Sequence, residues 1–267
     1  MSNDRRAPQT TPERIVSLVP SLTETCFDLG LGGRVVGVTD WCVHPADAVA
    51  ALPKVGGTKD ADVAAIEALK PDLVIANHEE NTRRVVEELE QRGLRVWLTY
   101  PRTLEEGVRV LHELAALSPD RDLARAVAFA AERALGLLDE PEAETGSHRP
   151  RVFCPIWRDP WMAVGGDTYA SDLIERCGGE NVFADRGDRR YPIVTLEDVV
   201  TAAPDVVLLP DEPYSFGPAD ASEIRELEIP AASSARVHLI DGTWVSWYGS
   251  RIAKAVGALR PLLESPQ

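Results

Sequence analysis

Apolar positions along the chain follow two different spacings. Compact apolar runs at 15–19, 35–39, 73–76 and 94–99 alternate with segments whose apolar residues recur every three or four positions, among them 63–69 and 82–91. Runs of the first kind predict buried strands and segments of the second kind predict helices. Their alternation predicts a parallel sheet with helices on both faces. Ser21 with Glu24 three residues on reads as a capping box that opens a helix ending at Gly30, Gly32 and Gly33. Gly93 stops the helix over 82–91.

The middle of the chain reads differently, as two consecutive helices over 104–117 and 120–138. Ser118 and Pro119 suit the N-cap and first position of the second helix. Leu123, Val127, Ala130, Ala134 and Leu138 form its apolar stripe. At 1.5 Å per residue it extends about 30 Å. After a polar stretch the alternation resumes: a strand at 152–156, helices at 169–177 and 196–202, strands at 206–209 and 237–240, and a last helix at 250–263. An internal echo links the halves. VAAIEALKPDLVIAN and LEDVVTAAPDVVLLP are each a helix, a Pro-Asp turn and a buried strand, with Pro71-Asp72 matching Pro204-Asp205. The expected organisation is a polar tail (1–13), an α/β lobe (14–118), a connecting helix (119–140), a linker (141–150) and a second α/β lobe (151–267). The fold class is α/β: two Rossmann-like lobes with mainly parallel sheets, joined by one long backbone helix.

Composition narrows the function. The chain has 267 residues and a formal charge of −15, from 28 basic and 43 acidic side chains. That excess argues against nucleic acid as a partner, because phosphate binding needs a basic surface. No apolar run approaches the roughly 20 residues of a bilayer span. The opening MSNDRRAPQTTPER is polar and lacks the apolar stretch of a secretory signal, so the chain as written is expected in the cytoplasm, and outside it if the true start lies upstream. Cys26, Cys42, Cys154 and Cys177 are scattered, with no metal-site spacing, and read as reduced structural thiols.

In open α/β sheets ligands bind beyond the carboxyl ends of the strands. Those ends carry Pro20-Ser21, Asp40-Trp41, His78-Glu79, Tyr100-Pro101-Arg102, Trp157-Arg158-Asp159-Pro160-Trp161, Asp211-Glu212 and the run from Asp241 to Tyr248. Trp41, Trp157, Trp161, Trp244 and Trp247 thus fall at strand ends, with Trp97 inside a strand. Loops so aromatic suit either packing over the sheet edges or a cleft for a large, flat, partly apolar ligand. Catalytic patterns are lacking: there is no G-x-S-x-G elbow, P-loop or H-E-x-x-H motif. His78 and Glu79 with Asp211 and Glu212 offer donor chemistry for a transition metal.

The segments RIVSLVPSLTE, VVGVTDWCVHP, VGGTKD, IEALKPDLVIAN, DLIERCGGENVF, TLEDVVTAAPDVVLLP and WYGSR together resemble the ABC-transporter substrate-binding proteins with a helical backbone. In pattern they are most similar to the cobalamin-binding and ferric-siderophore- or haem-binding members. The resemblance runs from about Arg14 to Leu263 and implies a ligand held in a cleft between two lobes. By position it implies contacts from Pro20, Ser21, Trp41, Thr58, Lys59, Glu79, Trp157, Arg158, Tyr191, Glu212, Trp244 and Arg251. Trp244 matches the aromatic residue that packs on the ligand, and Arg158 and Arg251 suit an anionic ligand group. The family docks on its permease through one glutamate per lobe. Glu197 keeps the second, but Ala64 stands at the first, with Glu67 one helical turn on.

The expectation is therefore a non-enzymatic binding protein with no cofactor of its own, taking a cobalamin-like corrinoid or an iron chelate as part of an ABC importer. The alternatives are a cytoplasmic carrier, sensor or processing enzyme for such a ligand on the same fold, or a direct transition-metal receptor.

Overall fold

The computed structural model describes residues 7–139, 149–187 and 189–264. The linker expected at 141–150 lies largely outside the described residues. The chain divides into two compact units.

The first unit contains β1 (Ile15–Ser17), α1 (Pro20–Asp28), β2 (Val35–Val38), α2 (Ala46–Ala50), α3 (Val63–Ala68), β3 (Leu73–Asn77), α4 (Arg83–Gln91), β4 (Val96–Thr99) and most of α5 (Leu104–Ala115). Its sheet is parallel throughout, in the order β2-β1-β3-β4. β3 is buried along its whole length, as expected of a strand covered on both faces. Val16, Leu18, Ile66, Val74, Val85 and Leu89 lie at the centre of the core. The unit also takes in Tyr248–Ser250 from near the C-terminus. The buried Tyr248 hydroxyl meets Asn77 Nδ2 at 2.8 Å and Thr99 Oγ1 at 2.9 Å. Gly249 is needed there: its φ is +90°, and an added Cβ would stand 2.3 Å from Thr25 Oγ1.

α6 (Arg121–Asp139) belongs to the first unit through Glu132 and to the second from Arg133. The second unit continues with β5 (Arg151–Phe153), β6 (Pro155–Trp157), β7 (Met162–Ala163), α7 (Tyr169–Arg176), β8 (Glu180–Asn181), α8 (Leu196–Ala202), β9 (Val206–Pro210), α9 (Pro218–Arg225), α10 (Pro230–Ser233), β10 (Val237–Ile240), α11 (Thr243–Ser246) and α12 (Ile252–Leu263). Its parallel sheet runs β8-β5-β9-β10, with a separate β6-β7 hairpin.

The two units share one local design. Arg14 directly precedes β1, and Arg151 opens β5. The Arg14 guanidinium donates to the Leu69 and Lys70 carbonyls at the end of α3, and Arg151 donates to Ala202 at the end of α8. The backbone N–H groups of Glu13 and Arg14 bond to the Asp72 carboxylate, and that of Arg151 to Asp205. Lys70 (φ 49°) and Ala203 (φ 45°), each just before the Pro-Asp turn, adopt the left-handed conformation that ends a helix. The echo in sequence is thus a repeated clasp joining helix end, turn and strand start, and it satisfies backbone groups that burial would otherwise leave without partners.

Several sequence expectations are corrected. Ser21 does not cap α1: the N-cap is Val19, with no side-chain bond, and Pro20 opens the helix. Proline fits that slot because it has no N–H to satisfy. Asp120, not Ser118, caps α6, accepting the amides of Asp122 and Leu123. The Ser118 hydroxyl instead donates to the Leu29 carbonyl at 2.6 Å. The buried stripe of α6 is Ala124, Ala128, Ala131 and Ala134, so Leu123 and Ala130 face outward. The strand over 152–156 is two strands broken at Cys154, because Pro155 cannot extend the β5 ladder. Trp244 lies in the short helix α11 rather than a loop. All four cysteines are buried and unpaired, and burial pushes the Cys26, Cys154 and Cys177 thiols up to about 12. No helix among the described residues is long and apolar enough to cross a membrane.

Candidate functional site

In the first unit, Pro20 and Ser21 follow β1, and the buried Ser21 hydroxyl has no hydrogen-bond partner among the described residues. Trp41, just past β2, is 66% exposed. An added Cβ on Gly57 would lie 3.6 Å from Trp41 Nε1, so the indole edge lies close to the 56–60 loop. That loop carries Thr58 and Lys59. The Lys59 ammonium donates to the Glu79 carbonyl, and Thr82 Oγ1 donates to the Lys59 carbonyl at 3.2 Å. Glu79 is half-buried, and its amide is fixed by the Asn77 carboxamide oxygen at 2.7 Å. The His78 and Tyr100 rings, at the ends of β3 and β4, lie 4.5 Å apart.

The second unit presents aromatic and acidic groups. Trp157 at the end of β6 is 44% exposed and meets Tyr214 edge-to-face at 5.7 Å. Tyr214 contacts Phe216 at 4.7 Å, and Phe216 stacks on Trp161 at 5.6 Å. A continuous aromatic column therefore runs from the surface into the core. The Arg158 guanidinium lies 5.5 Å from the Trp161 ring and is engaged by Asp220 and by Glu223 at 2.7 Å. Burial alone would raise the Asp220 carboxyl, but the Gly217 amide and Arg158 outweigh it, so the group ionises more readily than usual.

Beyond β9, Asp211 accepts the Gly242 amide at 2.6 Å, and Glu212 accepts the Ser246 hydroxyl at 2.6 Å. Burial first, and Asp211 and Asp241 after it, raise the Glu212 carboxyl above its ordinary value against the donors on Ser246 and Trp247. Gly242 must be glycine, since an added Cβ would stand 2.5 Å from Glu212 Cγ. Asp241 accepts the Thr243 amide at 3.0 Å, which fixes the start of α11. Trp244 is half-buried, and its indole N–H has no partner among the described residues. Arg251 donates to Thr243 Oγ1 at 2.6 Å and lies over the Trp247 ring at 4.7 Å. Tyr191 is half-buried.

The expected site residues thus divide between the units. In the first, Pro20 and Ser21 open α1, and Thr58, Lys59 and Glu79 occupy linked loops. In the second, Glu212 and Arg251 sit beside the helix that bears Trp244, and Trp157 and Arg158 lie on the hairpin. The placements repeat. Pro20-Ser21 and Trp157-Arg158 stand equally far past the matched arginines, and Glu79 and Glu212 equally far past the matched aspartates. Of the five strand-end tryptophans, Trp161 and Trp247 are packed inside the second unit, while Trp41, Trp157 and Trp244 keep some exposure. Arg158 and Arg251 are held by partners within the protein rather than presented singly. Sequence reading missed Asn81, Tyr214, Asp220 and Ser246 as supports of the site. No cluster of three or more His, Cys, Asp or Glu side chains able to hold a metal ion occurs among the described residues. A cavity of about 830 Å³ along β4 and α5, lined by Trp97, Glu106, Arg109 and Glu113 among others, contains none of the expected ligand residues.

Two parallel α/β units whose strand ends carry aromatic and polar side chains suit ligand capture, and the comparisons define the class. The family model described as "Periplasmic binding protein" matches residues 15–242, and the chain belongs to that family. It is 30% identical over 244 residues to the vitamin B12-binding protein of Vibrio parahaemolyticus serotype O3:K6, spanning 91% of this chain and 86% of the relative. Among solved structures, it is similar to the periplasmic vitamin B12 binding protein BtuF of Vibrio cholerae, with TM-score 0.80 and 26% identity over 95% of this chain and 97% of the other. It is also similar to the periplasmic heme-binding protein BhuT in complex with two hemes, with TM-score 0.78 and 26% identity over 94% and 97%. These relatives are binding proteins rather than enzymes.

Proposed function

We propose that this protein captures a cobalamin-like corrinoid, using the loops at the carboxyl ends of the strands in its two units. The observation that carries the reading is the balance of polar groups there. Glu79, Asp211, Glu212 and Asp241 supply carboxyl oxygens, which keep further acceptor capacity beside the bonds already made to Gly242, Ser246 and Thr243, while the guanidinium groups of Arg158 and Arg251 are engaged within the second unit. Acceptor-rich surroundings suit a ligand edged with amide N–H donors better than one edged with carboxylates. Trp157 and Trp244 offer apolar faces for the ring system. The similarity to proteins named for vitamin B12 supports the same ligand class.

An iron chelate such as haem is the second reading, favoured by the similarity to BhuT. Calorimetric titration with cyanocobalamin, dicyanocobinamide, haem and a ferric siderophore separates the two. Tight, saturable binding of the corrinoids alone supports the first reading, and binding of haem alone overturns it.

The partner in this reading is an ABC permease, met outside the cytoplasm as for the relatives named periplasmic. Glu197 is exposed in the first turn of α8. At the matched place in α3 stands the exposed Ala64, and Glu67 is paired with Arg92 at 2.7 Å. The second unit therefore supplies the docking carboxylate, and the first supplies none at that place.

A further inference from the structure

We propose that Asn81 is a positioning residue for ligand binding, holding in register the three segments that carry most of the first unit's ligand contacts; this rests on the reading above. Asn81 is 3% exposed and directly precedes Thr82, the N-cap of α4. Its carboxamide oxygen accepts the Asn77 amide at 2.8 Å, at the end of β3. Its carboxamide nitrogen donates to the Leu18 carbonyl at 3.3 Å, two residues before Pro20, and to the Thr58 carbonyl at 2.9 Å. Both amide protons and the oxygen are therefore used, each on a different segment.

The linkage extends one shell further. Asn77, held by Asn81, itself accepts the amides of Glu79 and Glu80 at 2.7 and 3.2 Å. Pro20, Ser21, Thr58, Lys59 and Glu79 thus hang from segments that meet at one side chain, leaving Trp41 outside the set. No other residue type of this size combines one acceptor with two donors in a plane. Leucine would leave two carbonyls and one N–H short of a partner. Aspartate would keep the acceptor and replace both donors with a charge facing two carbonyl oxygens. A buried aspartyl group titrates high, and once protonated it regains one donor.

Amide hydrogen exchange in the unliganded full chain, read from pH 5 to pH 8 against wild type at each pH, tests the assignment for Asn81→Asp and Asn81→Leu. At pH 8, Asn81→Asp is expected to lose tenfold or more protection at Thr58–Lys59, Asn77 and Glu79–Glu80 together. The 206–210 strand of the second unit should stay unchanged. Protection should return towards wild type at pH 5 in Asn81→Asp but not in Asn81→Leu. Should the leucine variant fail to fold, the pH series of the aspartate variant alone decides the matter. Loss confined to the first turn of α4, or wild-type protection at pH 8, overturns the proposal. Cyanocobalamin titration of the same variants should show affinity falling tenfold or more at pH 8 in both and recovering at pH 5 in Asn81→Asp alone. Failure of wild type to bind any probe would defeat the ligand reading, while the exchange data would still judge Asn81.

Discussion

The residues just before α4 and α9 occupy the same backbone slot in the two units. Asn81 N–H bonds to the last carbonyl of β3 at 2.9 Å, and Phe216 N–H bonds to the last carbonyl of β9 at 3.3 Å. In the first unit the slot holds a carboxamide that ties three loops by hydrogen bonds. In the second it holds a phenyl ring stacked on Trp161 and packed in the core. Below the slot the units are alike: the same strand order, the same arginine clasp and the same Pro-Asp turn. Beyond it they diverge, one polar and the other aromatic and acidic. Backbone satisfaction specifies the scaffold, and the loops set on it are where the two units differ.

The comparison can be broken most forcefully at Phe216. Phe216→Ala should cost about 3–5 kcal/mol of unfolding free energy, because a ring is lost from a packed column. Denaturant unfolding measures this, and a loss below about 1 kcal/mol would remove Phe216 as the hub of its unit.

The repeated clasp is tested by Asp72→Ala and Asp205→Ala. Each should cost about 1–2 kcal/mol by the same method. Asp72 should cost more, since it accepts two backbone amides where Asp205 accepts one from Arg151. The reverse order would show that the two clasps are alike in outline only.

Within the second unit, two carboxyl groups should respond to pH in opposite senses. Glu212 titrates above its ordinary value in the folded protein, so stability falls as pH rises through its folded value. Glu212→Gln should flatten that fall. Asp220 titrates below its ordinary value, so its contribution is present above the ordinary carboxyl range and is lost as pH falls. Asp220→Asn should be less stable than wild type at neutral pH, and the gap should close in acid. Thermal unfolding across pH 3–8 reads both, and parallel profiles for the two variants would contradict the assignment.

The smallest effect on ligand affinity belongs to the docking positions. Glu197→Lys and Ala64→Glu should each change affinity less than twofold. In a reconstituted importer, Glu197→Lys should abolish uptake and Ala64→Glu should preserve or raise it. Uptake indifferent to Glu197→Lys would remove the second unit from docking.

Much of the scaffold was legible from residue order. α8 and β10 lie where the pattern put them, because Thr195 and Asp198 form a true capping box and the apolar run over 237–240 is sharply bounded. α6 was found with Ala134 rightly buried, yet the earlier positions of its buried face were placed one residue off. Its interior is largely alanine, and alanine marks burial too weakly to fix a face. The strand-end tryptophans were visible, but which of them turn inward depends on partners such as Phe216 that lie far along the chain. Asn81 was not legible at all. A polar residue before an N-cap reads as a solvated loop, and two of its partners, Leu18 and Thr58, lie 63 and 23 residues away in the chain.

The most direct test is a tryptophan-fluorescence titration with cyanocobalamin of wild type, Trp157→Ala, Trp244→Ala and Asn81→Asp at pH 8. Saturable quenching in wild type, weakened at least tenfold by Trp244→Ala and by Asn81→Asp, is the predicted result. Quenching that survives all three substitutions undiminished, or no quenching in wild type, would contradict it.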